Sequence, residues 1–421
     1  HLLQPSTNLQ LASVTPDSVL ARTLEVIRRG YGFPSLFNAD MVVAEQLRVG
    51  KSLEDARAGG CSGCVETSAF GKESCILTGY FNLPKVLELV LHDGVDPASG
   101  ERLLSRTAVR TGAQGDFDAL YGAFDRGLAE ALEVKLAGNA IIERIYAESM
   151  PAPFLSLLVD DCVSNARDYN AGGARYHNRY VQMVGIGTIT DSLSAIRQIV
   201  FEEGRITLAD LVRALDRDFA GAESLRQRLV NRVPRWGNDD DRADDLMARV
   251  FASAVRTLDG RPSETGGRYR VQMLPTTCHV YFGSVTGATP DGRHSGRPLS
   301  EGISPVQGAD RLGPTAMLQS AAKMNHRLTG GTLLNMKLTP SLLEGEEGIE
   351  DISRLVRAYF RLGGHHLQFN VVEAETLRAA RAEPEQWRDL IVRVAGYSDY
   401  FCDLSPALQE EIIQRTEHRS V

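Results

Sequence analysis

The sequence predicts a mixed α/β protein, and three features carry that expectation. Helical periodicity recurs from Pro16 to Leu258, with apolar side chains returning every three or four positions. From Arg268 the pattern changes to short apolar runs separated by glycine and proline, the mark of strands and turns. No segment repeats at a solenoid period. With 421 residues the chain can form one large α/β domain or two or three ordinary ones. Its 43% hydrophobic and 24% charged residues suit a chain that buries a core in water.

The elements are expected in this order. Pro16 to Arg29 is a helix with Val19, Leu20, Leu24 and Ile27 on one stripe, ended by Gly30. A turn at Phe33-Pro34 leads to helical runs at Met41 to Arg48 and Leu53 to Arg57, the latter with Ser52 and Asp55 spaced like a capping box. Past a loop at 60–66 and the run Ile76 to Phe81, Pro84 suits the first turn of a helix to Leu91. Asp116 to about Glu148 is the longest helical pattern, which Gly138 can kink or split. Phe154 to Asn165 reads as a buried helix or strand-helix. Ser192 to Glu203 and Leu208 to Phe219 read as amphipathic helices, and 238–241 as the acidic cap of a helix to Leu258. Tyr269 to Met273, Cys278 to Gly283, Thr332 to Lys337 and Leu367 to Val372 read as strands, and Ile352 to Leu362 as a helix ended by Gly363-Gly364. The irregular stretch from Gly287 to Pro314 is long for a compact domain, which favours a functional loop. A strand-like run then enters Gly396, and a helix spans about Pro406 to Thr416.

Charge and cysteine usage narrow the function classes. A net charge of −8 removes the electrostatic reason to expect nucleic acid or an anionic membrane as partner. No apolar run approaches the ~20 residues that span a bilayer, and His1 to Asn8 carry neither a basic start nor an apolar h-region. Six cysteines at 61, 64, 75, 162, 278 and 402 are too scattered for a disulfide framework and fit a reducing cytoplasm. The opening at His1, straight into Leu2-Leu3-Gln4-Pro5, reads as a start inside a fold.

Two stretches could carry chemistry. In Gly60-Cys61-Ser62-Gly63-Cys64-Val65-Glu66, two glycines permit a sharp turn. Cys64 and Glu66, two apart, would share one side of an extended segment, a thiol and a carboxylate aimed into one space. The plain alternative is a buried cysteine beside a solvated glutamate. Near the other end, RVAGYSDYF at 393–401 runs a strand into Gly396, which could equally be an ordinary turn. Cys61-x-x-Cys64 as a zinc pair lacks two further ligands at local spacing. The glycine-rich loop at 170–177 lacks the lysine of a P-loop and reads as a backbone-packing turn. The aspartates at 239–241 lack the alternation of a calcium loop and read as a solvated cap.

The two stretches together resemble the glycyl radical enzymes. RVAGYSDYF is similar to that family's glycyl-radical signature, and Gly63-Cys64-Val65-Glu66 to its thiyl loop, in the family's order and 332 residues apart from Cys64 to Gly396. YNAGGARYH at 169–177, GNDDD at 237–241 and TPDGR at 289–293 are also similar to family sequence, so the resemblance covers essentially the whole chain. It implies a barrel of ten strands in two halves wrapped by helices, of which this chain resembles the C-terminal half. Residues 1–285 would belong to the pyruvate formate-lyase-like barrel and 286–421 to the glycine radical domain. The chain is therefore expected to be a fragment, inactive by itself.

The resemblance also implies roles. Gly396 would hold a backbone radical and take hydrogen from Cys64, whose thiyl would take hydrogen from a small substrate, with Glu66 as acid or base. Glycine suits the task because its Cα can flatten without forcing a side chain into the peptide plane. No cofactor would be bound. A separate radical-S-adenosylmethionine activating enzyme, carrying an iron-sulfur cluster, would install the radical, and the full-length protein would be a homodimer. Pyruvate formate-lyase pairs two adjacent cysteines, whereas Gly63 precedes Cys64 here, which argues against formate acetyltransferase chemistry. Cys64-Val65-Glu66 resembles the eliminase branch, of hydroxyproline dehydratase or isethionate sulfite-lyase type, cleaving C–O, C–N or C–S bonds. Arylacetate decarboxylation is the alternative within the family. A non-catalytic spare radical domain is the alternative outside it, opposed by the thiol loop.

Overall fold

The computed structural model describes residues 3, 5–110 and 115–420. The expected start inside a fold at His1 and Leu2 lies outside the described residues. Twelve strands are described: β1 Asn8–Leu11, β2 Ser35–Asn38, β3 Gly60–Cys61, β4 Thr67–Ser68, β5 Glu73–Asn82, β6 Tyr176–Val184, β7 Arg268–Gln272, β8 Asn335–Leu338, β9 His366–Val371, β10 Ile391–Arg393, β11 Ser398–Tyr400 and β12 Glu417–His418. One sheet runs β1-β2-β9-β8-β12, parallel throughout except for β2 against β9. A second runs β5-β6-β7, all parallel. A parallel bridge from Met273 to Thr332 joins the end of β7 to the approach to β8. Two small hairpins, β3-β4 and β10-β11, carry the loops at 62–66 and 394–397. The fold is mixed α/β, as the periodicities predict.

Helices form where apolar spacing and caps agree. Helix Phe117–Ser149 buries Leu120, Phe124, Leu128, Leu132 and Leu136 on one face, and Asp116 caps its start by accepting from Ala119 N. It passes through Gly138 unbroken, so the glycine there lowers helix propensity without dividing the element. Ser52 accepts from Asp55 N at the start of helix Leu53–Ala58, and Asp240 accepts from Arg242 N at the start of helix Asp241–Leu258. The neighbouring aspartates pair with one lysine: Lys323 Nζ lies 2.8 Å from Asp239, 2.6 Å from Asp241 and 2.7 Å from Asp244.

Three expectations are corrected. Cys278 to Gly283 is a helix, Cys278–Ser284, not a strand. The turn puts Gly283 against the backbone of Arg297, whose carbonyl oxygen would sit 2.2 Å from any Cβ there. Helix Pro153–Leu158 is exposed, not buried, with Phe154 76% and Leu157 69% exposed. Its apolar run signals a core, but no element described in this chain packs over it. The helix expected at 192–203 starts earlier, at Ile186–Ile196, and continues as a π-helical stretch, Arg197–Glu202. Every residue of 186–196 is buried, so it is a central helix and not an amphipathic one. Two of its polar side chains are paired inside: Asp191 accepts from Arg235 Nε and Trp236 N, and Ser194 donates to Pro234 O.

The largest apolar cluster fills the space between both sheets and the surrounding helices, from Leu11 to Val371. A separate one, from Val372 to Ile413, lies under the β10-β11 hairpin. A third, small cluster joins Phe37, Val42, Cys61, Val65, Leu274, Leu333 and Ala395, with Cys64 packed against it. Among the described residues, no helix is long and apolar enough to cross a membrane.

Candidate active site

The thiol loop is a hairpin tip. Gly60 and Cys61 pair with Ser68 and Thr67, and Ser62 N donates to Glu66 O at 2.9 Å to close the turn. The chain bends at 63–65, so Cys64 and Glu66 do not share an extended segment. The bend folds the Glu66 carboxylate back on its own loop, where it accepts from Val65 N at 3.2 Å and from Ser62 Oγ. Ser62 Oγ in turn accepts from Cys64 N at 3.1 Å, so one hydroxyl holds both functional residues. Thr67 N donates to Gly330 O at 3.0 Å, fixing the hairpin to the entry of β8. Gly331 makes that approach possible: its φ is +132°, and a Cβ there would lie 2.1 Å from Val65 O.

The glycine loop is the tip of β10-β11, closed by Val394 N to Tyr397 O at 2.9 Å. The Val394 carbonyl accepts from Asn335 Nδ2 at 3.1 Å and Arg415 Nη2 at 2.8 Å, and the Arg393 carbonyl accepts from Asn370 Nδ2 at 2.8 Å. Arg415 is held by Glu411, and Asn335 by Glu301 at 3.1 Å. These side chains tie the hairpin to β8, β9 and helix Pro406–Gln414. Gly396 is buried and has φ +92°, a conformation that a side chain resists.

The two tips meet. A Cβ built on Gly396 would lie 2.9 Å from Cys64 Sγ, 3.0 Å from Cys64 Cβ and 3.2 Å from Leu274 Cδ1. With a Cα–Cβ bond of about 1.5 Å, the sulfur lies within about 4.4 Å of the Gly396 Cα. The Gly396 α-hydrogen that a side chain would replace therefore lies on the side of the sulfur. Val65, Leu274, Leu333 and Ala395, all fully buried, keep the contact dry. Burial, aided by the Glu66 charge and opposed by Arg393, pushes the Cys64 thiol up to about 12. At neutral pH the sulfur keeps its hydrogen, which makes it a poor nucleophile and leaves it an S–H bond to give.

Residues to which the sequence assigned no catalytic role complete the surroundings. Tyr80 Oη lies 2.8 Å from Thr276 Oγ1, and burial raises the Tyr80 phenol, with Cys278, Cys64 and Glu66 adding to the effect. Thr276 has φ +49°, rare for a β-branched residue, two positions after Leu274. Arg393 reaches the thiol loop from β10: its Nη2 donates to Gly63 O at 2.9 Å. Cys61 is buried, with Sγ 3.9 Å from His365 Nε2, and burial holds that imidazole down at about 3. Among the described residues, no group of three His, Cys, Asp or Glu side chains is placed to hold a metal ion. In the 170–177 loop a Cβ on Gly173 would lie 1.9 Å from Arg167 O, the packing turn that its composition suggests.

The mixed α/β fold thus brings a buried left-handed glycine against a half-buried thiol. The chain belongs to the pyruvate formate lyase-like family: residues 1–283 match the family described as pyruvate formate lyase-like, and residues 299–402 that described as glycine radical. It is 49% identical over 419 residues to trans-4-hydroxy-L-proline dehydratase of Clostridioides difficile, covering 99% of this chain and 53% of that protein. It is 35% identical over 423 residues to isethionate sulfite-lyase of Oleidesulfovibrio alaskensis, covering 98% and 50%. Among solved structures, hydroxyproline dehydratase from Clostridioides difficile with trans-4-hydroxy-L-proline bound superposes with a TM-score of 0.96 at 48% identity, covering 100% of this chain and 53% of that one. The chain thus spans about half the length of the relatives it matches.

Proposed function

We propose that this chain carries the radical centre of a glycyl radical lyase that eliminates a leaving group from a small hydroxylated substrate. The observation that carries the reading is the placement of Cys64 Sγ on the α-hydrogen side of Gly396. A radical-S-adenosylmethionine activating enzyme with an iron-sulfur cluster would install the radical on Gly396, in the cytoplasm and without oxygen. The Cys64 S–H bond breaks as a Gly396 Cα–H bond forms, leaving the electron on sulfur. The thiyl then takes hydrogen from a substrate carbon. Glu66, held by Ser62 and Val65 N, takes or returns the proton that the leaving group needs. The product radical regains hydrogen from Cys64, and Gly396 regains its radical. Substrate loses water, or another H–X, and the protein ends as it began.

Identity of 49% across both loops makes trans-4-hydroxy-L-proline the first substrate to test. The two sheets would form part of the family barrel, and the assembled protein would be a homodimer. The test uses the full-length protein, activated anaerobically. Gly396→Ala should lose the organic radical signal in electron paramagnetic resonance. Cys64→Ser should keep the signal and lose turnover, because the radical is stored but not delivered. Glu66→Gln should keep the signal and lower turnover by about 10²–10⁴-fold, the usual weight of a general acid or base. Normal turnover by Cys64→Ser would overturn the relay.

A further inference from the structure

We infer that Arg393 is a positioning residue that sets the distance over which hydrogen passes between Gly396 and Cys64; this rests on the radical assignment above. Arg393 stands in β10, three residues before Gly396, and is fully buried. Its backbone is locked to β9, with the N–H donating to Asn370 Oδ1 at 2.7 Å and the carbonyl accepting from Asn370 Nδ2. Its guanidinium ends on the opposite loop: Nη2 donates to Gly63 O at 2.9 Å and to Ser35 Oγ at 3.2 Å. The Gly63 carbonyl belongs to the peptide that carries the Cys64 nitrogen. One side chain therefore spans from the glycine hairpin to the peptide beside the thiol.

Stability alone gives no reason for arginine here. Nε and Nη1 have no hydrogen-bond partner, and no carboxylate lies within ion-pair distance of Arg393 among the described residues. An unpaired buried guanidinium costs free energy that an apolar side chain of similar length would not. Burial lowers Arg393 to about 10, so it stays charged at neutral pH. That charge has little to act on in the transfer itself. One hydrogen atom moves from sulfur to carbon, the S–H bond breaking as the C–H bond forms, and no net charge moves. What remains is geometric: the arginine fixes one loop against the other, and hydrogen transfer is steep in distance.

The test is Arg393→Met in the activated protein, read by exchange at Gly396. The Cys64 S–H exchanges with D2O, so each passage of the radical to sulfur delivers deuterium to Gly396, and a return in which the thiyl takes the original hydrogen leaves deuterium on the radical carbon. The doublet in the resonance spectrum collapses at that rate. Arg393→Met should acquire the radical in wild-type amount. Its exchange and kcat should both fall on the order of 10- to 100-fold, as a displacement near 1 Å can cause, with KM unchanged. Arg393→Lys, which keeps a donor, should fall between the two, and it carries the test if Arg393→Met does not fold. A purely structural role would lower Tm and leave exchange per radical unchanged, overturning the inference. Failure of a folded variant to acquire the radical would overturn it too, by placing Arg393 before the transfer. A wild-type protein without a radical, or one that neither exchanges its α-hydrogen nor turns over, would instead defeat the relay itself.

Discussion

At Cys64 the environment favours the thiol over the thiolate, and that can be read without activating the protein. Burial and the Glu66 carboxylate both disfavour negative sulfur, with the group pushed up to about 12. At pH 8 the thiolate fraction is then on the order of 10⁻⁴, against about a quarter for an ordinary cysteine. Alkylation of Cys64 by iodoacetamide, followed by peptide mass mapping, should therefore rise about tenfold per pH unit to at least pH 10. Glu66→Gln removes a negative neighbour and should shift that profile to lower pH. A plateau near pH 9 in the wild type would contradict the assignment. At this scale the sequence is informative where the chemistry is local. Cys64, Glu66 and Gly396 sit in short stretches whose residue types and order carry the resemblance. Ser62 and Arg393 lie inside the same stretches, but nothing local says that a hydroxyl bridges Cys64 to Glu66, or that a guanidinium 330 positions away reaches Gly63. Asn335, Arg415 and Thr276 act from other elements, and only the fold reveals them.

Elements were legible where one periodicity dominates and a cap agrees, as in helix Phe117–Ser149; helix Gly345–Arg361 has no side-chain cap and starts seven residues before the expected Ile352. β6 gives no such signal although it is the central strand of its sheet. Buried Asn178, Arg179 and Gln182 break the apolar alternation, and the partners of Asn178 and Arg179, which are Glu73, Ser74 and Thr265, lie on other segments. Lys337 in β8 is a similar case with a measurable consequence. It is 2% exposed, and its Nζ donates to Ile413 O at 3.0 Å, near the C-terminal end of helix Pro406–Gln414. The helix end favours a cation, yet burial dominates and lowers the amine to about 8, with Glu417 and Glu411 opposing and Arg415 and Arg378 assisting. Unfolded lysine titrates near 10.4. Between about pH 8 and 10.4 the unfolded chain thus holds more protons, so this group makes stability rise with pH there. Below pH 8 the full cost of the charged amine is present. Relative to Lys337→Met, the wild type should gain roughly 2 kcal/mol of unfolding free energy across that window. Urea unfolding at a series of pH values measures it, and parallel profiles would refute it.

On the scale of the whole molecule, the glycine hairpin rests on a small core of its own. Val372, Leu377, Val392, Phe401, Leu408 and Ile412 form it, apart from the main cluster. What ties this unit to the rest includes polar contacts: Asn335 on Val394 O, Asn370 on Arg393, Lys337 on Ile413 O, and β12 paired to β8. The arrangement predicts how the molecule should break. Dioxygen adds to a carbon radical, and a peroxyl at a backbone Cα leads to scission of the chain there. Activated protein exposed to air should be cut between Ala395 and Tyr397, separating the 25 residues from Tyr397 to Val421. That piece contains β11, β12 and helix Pro406–Gln414, and its Phe401, Leu408 and Ile412 stay in the small core. It should therefore remain bound under native conditions and separate only in denaturant. Native mass spectrometry should give the intact mass to within the atoms lost or gained at the break, while denaturing mass spectrometry gives two chains. Unactivated protein should stay whole in both, because Gly396 is then an ordinary residue. A radical-bearing sample that survives air uncut, or is cut elsewhere, would show that Gly396 does not hold the radical.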